Sequence, residues 1–194
     1  VIEARSRDAL IVRGSFLGQA LPFVADEGRH WVLIGVDALT PAGAYPLTLT
    51  LTETQTGDLL TLRQTLTVTE GSFATYNVAV PADRQSLLDP GLVAAERELV
   101  NGIFAGRSDE RLWAGIWDYP LAGDLRTTAP FGQRRSYSGG PVSGYHSGHD
   151  FGADVGTPVL APVTGTVVLA EPLQVRGLVV SLDHGLGVFS GIWH

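Results

Sequence analysis

The 194-residue chain contains five histidines, twenty acidic residues and no cysteine. Four of the histidines follow residue 145, and two of these share the segment Tyr145-His146-Ser147-Gly148-His149-Asp150 with an aspartate. In a chain without thiolates, imidazole and carboxylate are the donors that bind zinc, at roughly 2.0–2.2 Å. His146 and Asp150 are therefore candidate metal ligands, whereas a cysteine nucleophile and a disulfide framework are excluded.

The spacing of this candidate pair places a demand on the backbone. Two donors on one tetrahedral zinc lie roughly 3–3.5 Å apart, whereas residues four apart on an extended strand lie about 13 Å apart. The chain must therefore bend between His146 and Asp150, and Ser147-Gly148 offers a place to bend. By itself, a His-x-x-x-Asp spacing is more often a polar turn than a metal site.

Further segments of the sequence strengthen the interpretation of His146 and Asp150 as metal ligands. They are Ala129-Pro130-Phe131-Gly132-Gln133-Arg134-Arg135 before it, Gly156-Thr157-Pro158-Val159 and Asp183-His184-Gly185 after it, and Trp193-His194 at the end. In order and spacing, these segments resemble the lysostaphin/LytM-type zinc metallopeptidases. That family cuts peptide cross-links of bacterial peptidoglycan, and the resemblance covers residues 113–194.

The resemblance implies roles for three residues. His146 and Asp150 correspond to two zinc ligands, and His194 to a catalytic histidine that lies beside the metal without binding it. A third ligand belongs to a His-x-His motif, which is expected beyond residue 194, so the 194 residues alone are expected to be inactive. The resemblance also implies one zinc per chain and a place outside the cytoplasm, in the periplasm or cell envelope.

Two functions remain open on these residues. The first is a zinc metalloendopeptidase acting on peptidoglycan peptides. The alternative is a degenerate LytM-type module that binds the cell wall or activates a partner cell-wall hydrolase without catalysis. The presence of both His146 and Asp150 favours the enzyme, and a His-x-His motif downstream would discriminate between the two.

Other residues in this part of the chain have plainer interpretations. We expect His149 to be a pocket-wall or exposed residue rather than a substitute ligand, and His184 to lie in a hairpin turn. Arg134 and Arg135 either line a substrate groove or end a solvated strand. Trp113 and Trp117 are expected in an interdomain core.

Composition limits the partners. A net charge of −7 argues against nucleic acid, because phosphate binding requires a basic surface. No apolar stretch reaches the 18 residues or more of a transmembrane helix, so no transmembrane segment is predicted.

The predicted architecture is mainly β. Leucines alternate with threonines over residues 47–52, and apolar residues alternate again from Leu60 to Val68, which predicts a hairpin around Thr56-Gly57-Asp58. We predict an immunoglobulin-like β-sandwich over residues 1–80 and a linker over 81–112. Within the linker, Asp89-Pro90 starts a helix with Leu92, Ala95, Leu99 and Ile103 on one face. Residues 113–194 then form an antiparallel β-sheet peptidase domain, incomplete at its end, with a strand over 157–162 among others.

Overall fold

A computed structural model describes residues 1–5, 10–26, 28–106, 108–123 and 125–193 of the chain. The chain divides into two compact units, residues 1–73 and residues 74–194. The described residues are mainly β, as predicted.

The first unit contains two antiparallel sheets. One has the order β1-β5-β4, with β1 Ile2–Arg5, β4 Val24–Asp26 and β5 Arg29–Val32. The other has the order β3-β2-β6-β7, with β2 Leu10–Phe16, β3 Gln19–Leu21, β6 Gly43–Glu53 and β7 Leu59–Val68. The immunoglobulin-like classification of this unit stays a prediction.

The leucine-rich hairpin forms as predicted, since β6 and β7 pair antiparallel across the turn at Gly57. Leu49 pairs with Leu62 and Leu51 with Leu60, which puts these leucines on one face. The burial of that face is uneven: Leu47 on β6 is 1% exposed, whereas Leu60 on β7 is 56% exposed. The reason is that β7 is the edge strand of this sheet, where cover is least.

The second unit begins with a strand and two helical segments. They are β8 Thr75–Val78, a 3-10 helix Ala82–Leu88 and helix α1 Pro90–Ala105. Helix α1 starts as the sequence predicts, because the Asp89 carboxylate accepts a hydrogen bond from the Leu92 amide at 2.9 Å. Residues 74–80, which the predicted division gave to the first domain, lie in the second unit.

The predicted helix face is only partly right. Glu96 and Val100 are the buried residues of α1, whereas Leu99 is 41% exposed. A glutamate was not expected on the inner face, because a charged side chain is rarely buried without a partner.

Three sheets complete the second unit. The strands are β9 Arg126–Ala129, β10 Arg134–Tyr137, β11 Val142–Tyr145, β12 Asp150–Gly152, β13 Thr166–Leu173, β14 Gly177–Asp183 and β15 Phe189–Trp193. The sheet orders are β11-β10-β8, β12-β9 and β13-β14-β15, with β8 parallel to β10 and the other pairs antiparallel. The strand predicted over 157–162 does not form, since this segment has no ladder pairing.

The partner of Glu96 is the hairpin between β13 and β14. The Val175 amide donates to its carboxylate at 2.7 Å and the Arg176 guanidinium donates at 3.0 Å. The same guanidinium lies 5.0 Å from the ring centre of Trp193 on β15, within cation–π range. Helix α1 is therefore joined to the sheet β13-β14-β15 rather than serving as a detached linker.

These contacts set the ionisation of Glu96. Burial acts to raise its pKa, but the donors Val175 and Arg176 outweigh burial, so the pKa lies below the usual 4.5. A carboxyl with a lowered folded pKa stabilises the fold above its unfolded pKa and loses that contribution as pH falls through the folded value.

We therefore predict that Glu96→Gln lowers the free energy of unfolding by about 2 kcal/mol at pH 7, because the Arg176 guanidinium, with its side chain 17% exposed, loses a charged hydrogen-bond partner. The difference from the unsubstituted protein should shrink as the pH falls below 4.5. Urea denaturation followed by tryptophan fluorescence between pH 7 and pH 3 measures both effects. Glu98→Gln, at an exposed position of the same helix, is the control. A difference that is constant with pH would contradict the prediction.

Candidate functional site

The candidate ligands His146 and Asp150 lie at the ends of two strands in different sheets. His146 directly follows β11, and Asp150 is the first residue of β12. The chain bends at Gly148 between them. The predicted bend is therefore present, and it brings the two side chains together.

Backbone hydrogen bonds fix the position of His146. Its amide donates to the Gln133 carbonyl and its carbonyl accepts from the Gly132 amide, both at 2.8 Å. Gly132 has a φ of +80°, a conformation that a residue with a β-carbon rarely adopts. These two hydrogen bonds thus hold His146, at the end of β11, against the residues that directly precede β10.

The side chains of the pair meet closely. His146 Nε2 lies 3.0 Å from Asp150 Oδ1, which is about the separation of two donors on one zinc, roughly 3–3.5 Å. The His146 side chain is 12% exposed and that of Asp150 is 54% exposed. The pair is therefore covered on the imidazole side and open to solvent on the carboxylate side.

The second nitrogen of the ring determines what the first can do. His146 Nδ1 lies 3.1 Å from the Pro130 carbonyl oxygen, which can only accept, so Nδ1 carries a proton. In a neutral ring, Nε2 then presents its lone pair to the lone pairs of Asp150 Oδ1. Two acceptors at this distance repel each other unless a proton or a cation lies between them. The arrangement therefore suits a shared metal ion or an imidazolium.

Arg135 on β10 faces the same carboxylate. Its Nη2 atom lies 3.9 Å from Asp150 Oδ2, and its side chain is 24% exposed. The two oxygens of Asp150 thus face different partners, Oδ1 the imidazole and Oδ2 the guanidinium. Arg135 lies at the candidate site instead of ending a solvated strand.

His149 points into a separate cluster. Its Nε2 lies 2.9 Å from Thr127 Oγ1, and its ring centre lies 4.7 Å from that of Phe151. Phe151 in turn makes an edge contact with Tyr119 at 5.8 Å. His149 is exposed, and these contacts agree with a wall residue.

His184 lies in the turn between β14 and β15, as predicted, but it is fully buried instead of standing at a hairpin tip. Its Nδ1 lies 2.9 Å from the Thr164 carbonyl and its Nε2 lies 2.8 Å from Ser190 Oγ. The ring of Trp117 packs on it at 4.6 Å. Both ring nitrogens are therefore used within the second unit, and Trp117 makes this contact in the same unit. The interdomain core expected for Trp113 and Trp117 stays a prediction.

The remaining predicted residues cannot be placed beside the pair. His194 lies outside the described residues. Within the described residues, no group of three or more histidine, cysteine or acidic side chains converges on one point. The third ligand and the catalytic role of His194 therefore stay predictions.

Two features of the site were missed or left open by the sequence. The Pro130 carbonyl gives no signal in a sequence, because every residue has one. Arg135 was singled out, but its neighbour Asp150 is 15 positions away, and no local pattern links them. The contact depends on how β10 and β12 are placed in the fold.

The chain was compared with known proteins. Residues 144–194 match the family model for Peptidase family M23. The fold is similar to the crystal structure of a proposed M23 peptidase from Pseudomonas aeruginosa, with 27% identity and a TM-score of 0.58 over 94% of this chain. The chain spans 66% of that protein's length. No curated protein matches.

The family match includes the whole of the His146–Asp150 segment and the end of β11 before it. It agrees with the resemblance seen in the sequence, and M23 is a peptidase family. The part of the chain that is similar to Peptidase family M23, residues 144–194, thus contains the His146–Asp150 pair.

Proposed function

We propose that the protein is a zinc metalloendopeptidase that hydrolyses peptide cross-links of bacterial peptidoglycan. The observation that carries this proposal is the 3.0 Å approach of His146 Nε2 to Asp150 Oδ1, within the segment that matches a peptidase family. The match to a peptidase family suggests the reaction class, hydrolysis of a peptide bond. The resemblance to the LytM-type enzymes suggests the substrate, peptidoglycan.

The residues present fit a zinc ion. An imidazole with Nδ1 held by a carbonyl leaves Nε2 free to ligate, which is the usual arrangement of a metal-bound histidine. Together with one carboxylate oxygen, this gives two of the three protein donors that a catalytic zinc site normally has. We propose that the third is a histidine of a His-x-His motif, to be sought beyond residue 194.

The chain's own groups have distinct tasks in this proposal. When bound, zinc supplies a Lewis acid that polarises the scissile carbonyl and makes water more acidic. The Pro130 carbonyl keeps the His146 ring in one tautomer and one orientation. Asp150 contributes negative charge on the solvent side of the pair, where a polypeptide can approach.

His194 is the residue that we propose for proton transfer. An imidazole close to the ligands, but not bound to the metal, can take a proton from the attacking water and later deliver it to the leaving amine. In the sequence, His194 directly follows Trp193, the last residue of β15.

The place of action follows from the substrate. Peptidoglycan lies outside the cytoplasm, so we propose the periplasm or cell envelope. Within the described residues, no helix is long and apolar enough to cross a membrane. The net charge of −7 gives no attraction to anionic wall polymers.

We predict that His146→Ala and Asp150→Ala each abolish zinc binding and hydrolysis in the complete protein, because each removes a ligand. Zinc content is measured by atomic absorption, and turnover by release of new amino groups from purified peptidoglycan. His149→Ala, which changes a histidine of the same segment outside the pair, should retain the metal. Full zinc content in the His146→Ala protein would exclude the proposed ligand set.

A second prediction separates ligation from catalysis. His194→Ala should leave the zinc content unchanged and lower turnover by about 10²- to 10⁴-fold, the range of a lost general acid or base. If the variant lost its zinc together with its activity, His194 would be a ligand and not a proton carrier.

The same assays test the non-enzymatic alternative. A complete protein that binds no zinc and releases no amino groups, yet stimulates another cell-wall hydrolase on the same peptidoglycan, would be an activator. That outcome would overturn the peptidase proposal.

A further inference from the structure

Arg135 combines two features that the proposed ligand set does not explain. Its guanidinium lies beside Asp150. Its Nε atom is buried and, among the described residues, has no hydrogen-bond partner. The nearest contact between the two side chains is that of Nη2 with Asp150 Oδ2, at 3.9 Å.

The register of the sheet explains how Arg135 is held in place. Arg135 on β10 pairs with Gly144 on β11 on one side and with Tyr76 on β8 on the other. Gly144 has no side chain, and a β-carbon there would meet nothing within 4 Å, so the space beside Arg135 on that side is open. Central pairing on both sides fixes the backbone from which the guanidinium reaches Asp150.

Asp150, in contrast, is exposed to solvent over about half of its side chain, at 54%. A carboxylate in this situation can rotate and offer a metal either oxygen or both. In the structure, Oδ2 faces Arg135 and Oδ1 faces His146. The guanidinium therefore lies near the oxygen that does not face His146.

We propose that Arg135 is a positioning residue, which engages Asp150 Oδ2 so that Oδ1 alone is presented to the metal beside His146 Nε2. This inference rests on the proposed function, since it assumes that the pair binds zinc. Residues that orient a ligand commonly change metal affinity by 10- to 100-fold when they are replaced.

Arg135 also acts on a bound metal through its charge, in the opposite direction. The balance of the two effects decides whether removal of Arg135 weakens or tightens metal binding. Its positive charge repels a cation, so its removal could tighten metal binding. The guanidinium and Asp150 are both partly exposed, and interactions between such charges are weakened by water and salt. Loss of orientation should therefore outweigh loss of repulsion, and removal of Arg135 should weaken binding.

The test measures metal binding directly in the complete protein. The dissociation constants for Zn²⁺ and Co²⁺ are determined by competition with a chelating dye, and the visible absorption of the Co²⁺ form reports the ligand geometry. We expect Arg135→Gln to weaken Zn²⁺ binding about tenfold and to change the Co²⁺ spectrum. Arg135→Lys, which keeps a cation able to pair with Oδ2, should recover part of both.

The matched control is Arg134→Gln. Arg134 is the neighbouring residue of β10, and adjacent strand residues point to opposite faces of a sheet. It should leave the Zn²⁺ constant and the Co²⁺ spectrum unchanged. Far-UV circular dichroism of the metal-free variants verifies that each is folded. If Arg135→Gln does not fold, the Zn²⁺ constant and the Co²⁺ spectrum of Arg135→Lys are compared with those of the unsubstituted protein instead.

The outcomes separate the two proposals. Unchanged or tighter Zn²⁺ binding in the Arg135 variants, with tight binding in the unsubstituted protein, overturns the positioning role and leaves the peptidase proposal standing. Absence of Zn²⁺ binding by the unsubstituted protein overturns the peptidase proposal and this inference with it. Weaker binding in Arg135→Gln, with partial recovery in Arg135→Lys, supports both.

Discussion

The orientation of the His146 imidazole is the constraint on which the candidate site depends. Its Nδ1 contacts the Pro130 carbonyl at 3.1 Å, and its backbone amide and carbonyl are hydrogen-bonded to Gln133 and Gly132. Because a carbonyl can only accept, Nδ1 carries a proton, and in a neutral ring Nε2 faces Asp150 as an acceptor. A carboxylate opposite an imidazole lone pair is stable with a cation between the two, which is the chemical basis of the proposed metal site.

The two carboxylate oxygens of Asp150 face two different groups. One oxygen lies toward the imidazole at 3.0 Å and the other toward the guanidinium of Arg135 at 3.9 Å. The carboxylate is exposed, whereas the imidazole is covered. The pair is therefore covered on its imidazole side and accessible to solvent on its carboxylate side.

The second unit, which carries the site, includes helix α1 as well as its sheets, and the helix is hydrogen-bonded to the β13–β14 hairpin. Glu96 in helix α1 is buried and receives two hydrogen bonds from Val175 and Arg176, and Arg176 lies over the ring of Trp193. Loss of Arg176 would be costly, because the Glu96 carboxylate, with its side chain 8% exposed, would be left without its counter-charge. These contacts join the helix, the β13–β14 hairpin and strand β15, and Trp193 directly precedes His194, the residue proposed for proton transfer.

Local rules were enough for the sequence to determine several parts of this protein. The β6–β7 hairpin follows from period-two leucines, the start of α1 from Asp89-Pro90, and the bend between His146 and Asp150 from the glycine between them, since each depends on residues close in the chain. Only the tertiary structure decided that Glu96 is buried, that His184 is enclosed beside Trp117, that residues 157–162 form no strand and that Arg135 faces Asp150. These depend on partners distant in sequence, because burial and charge pairing are set by which elements the fold brings together, and not by the spacing of residues along one element.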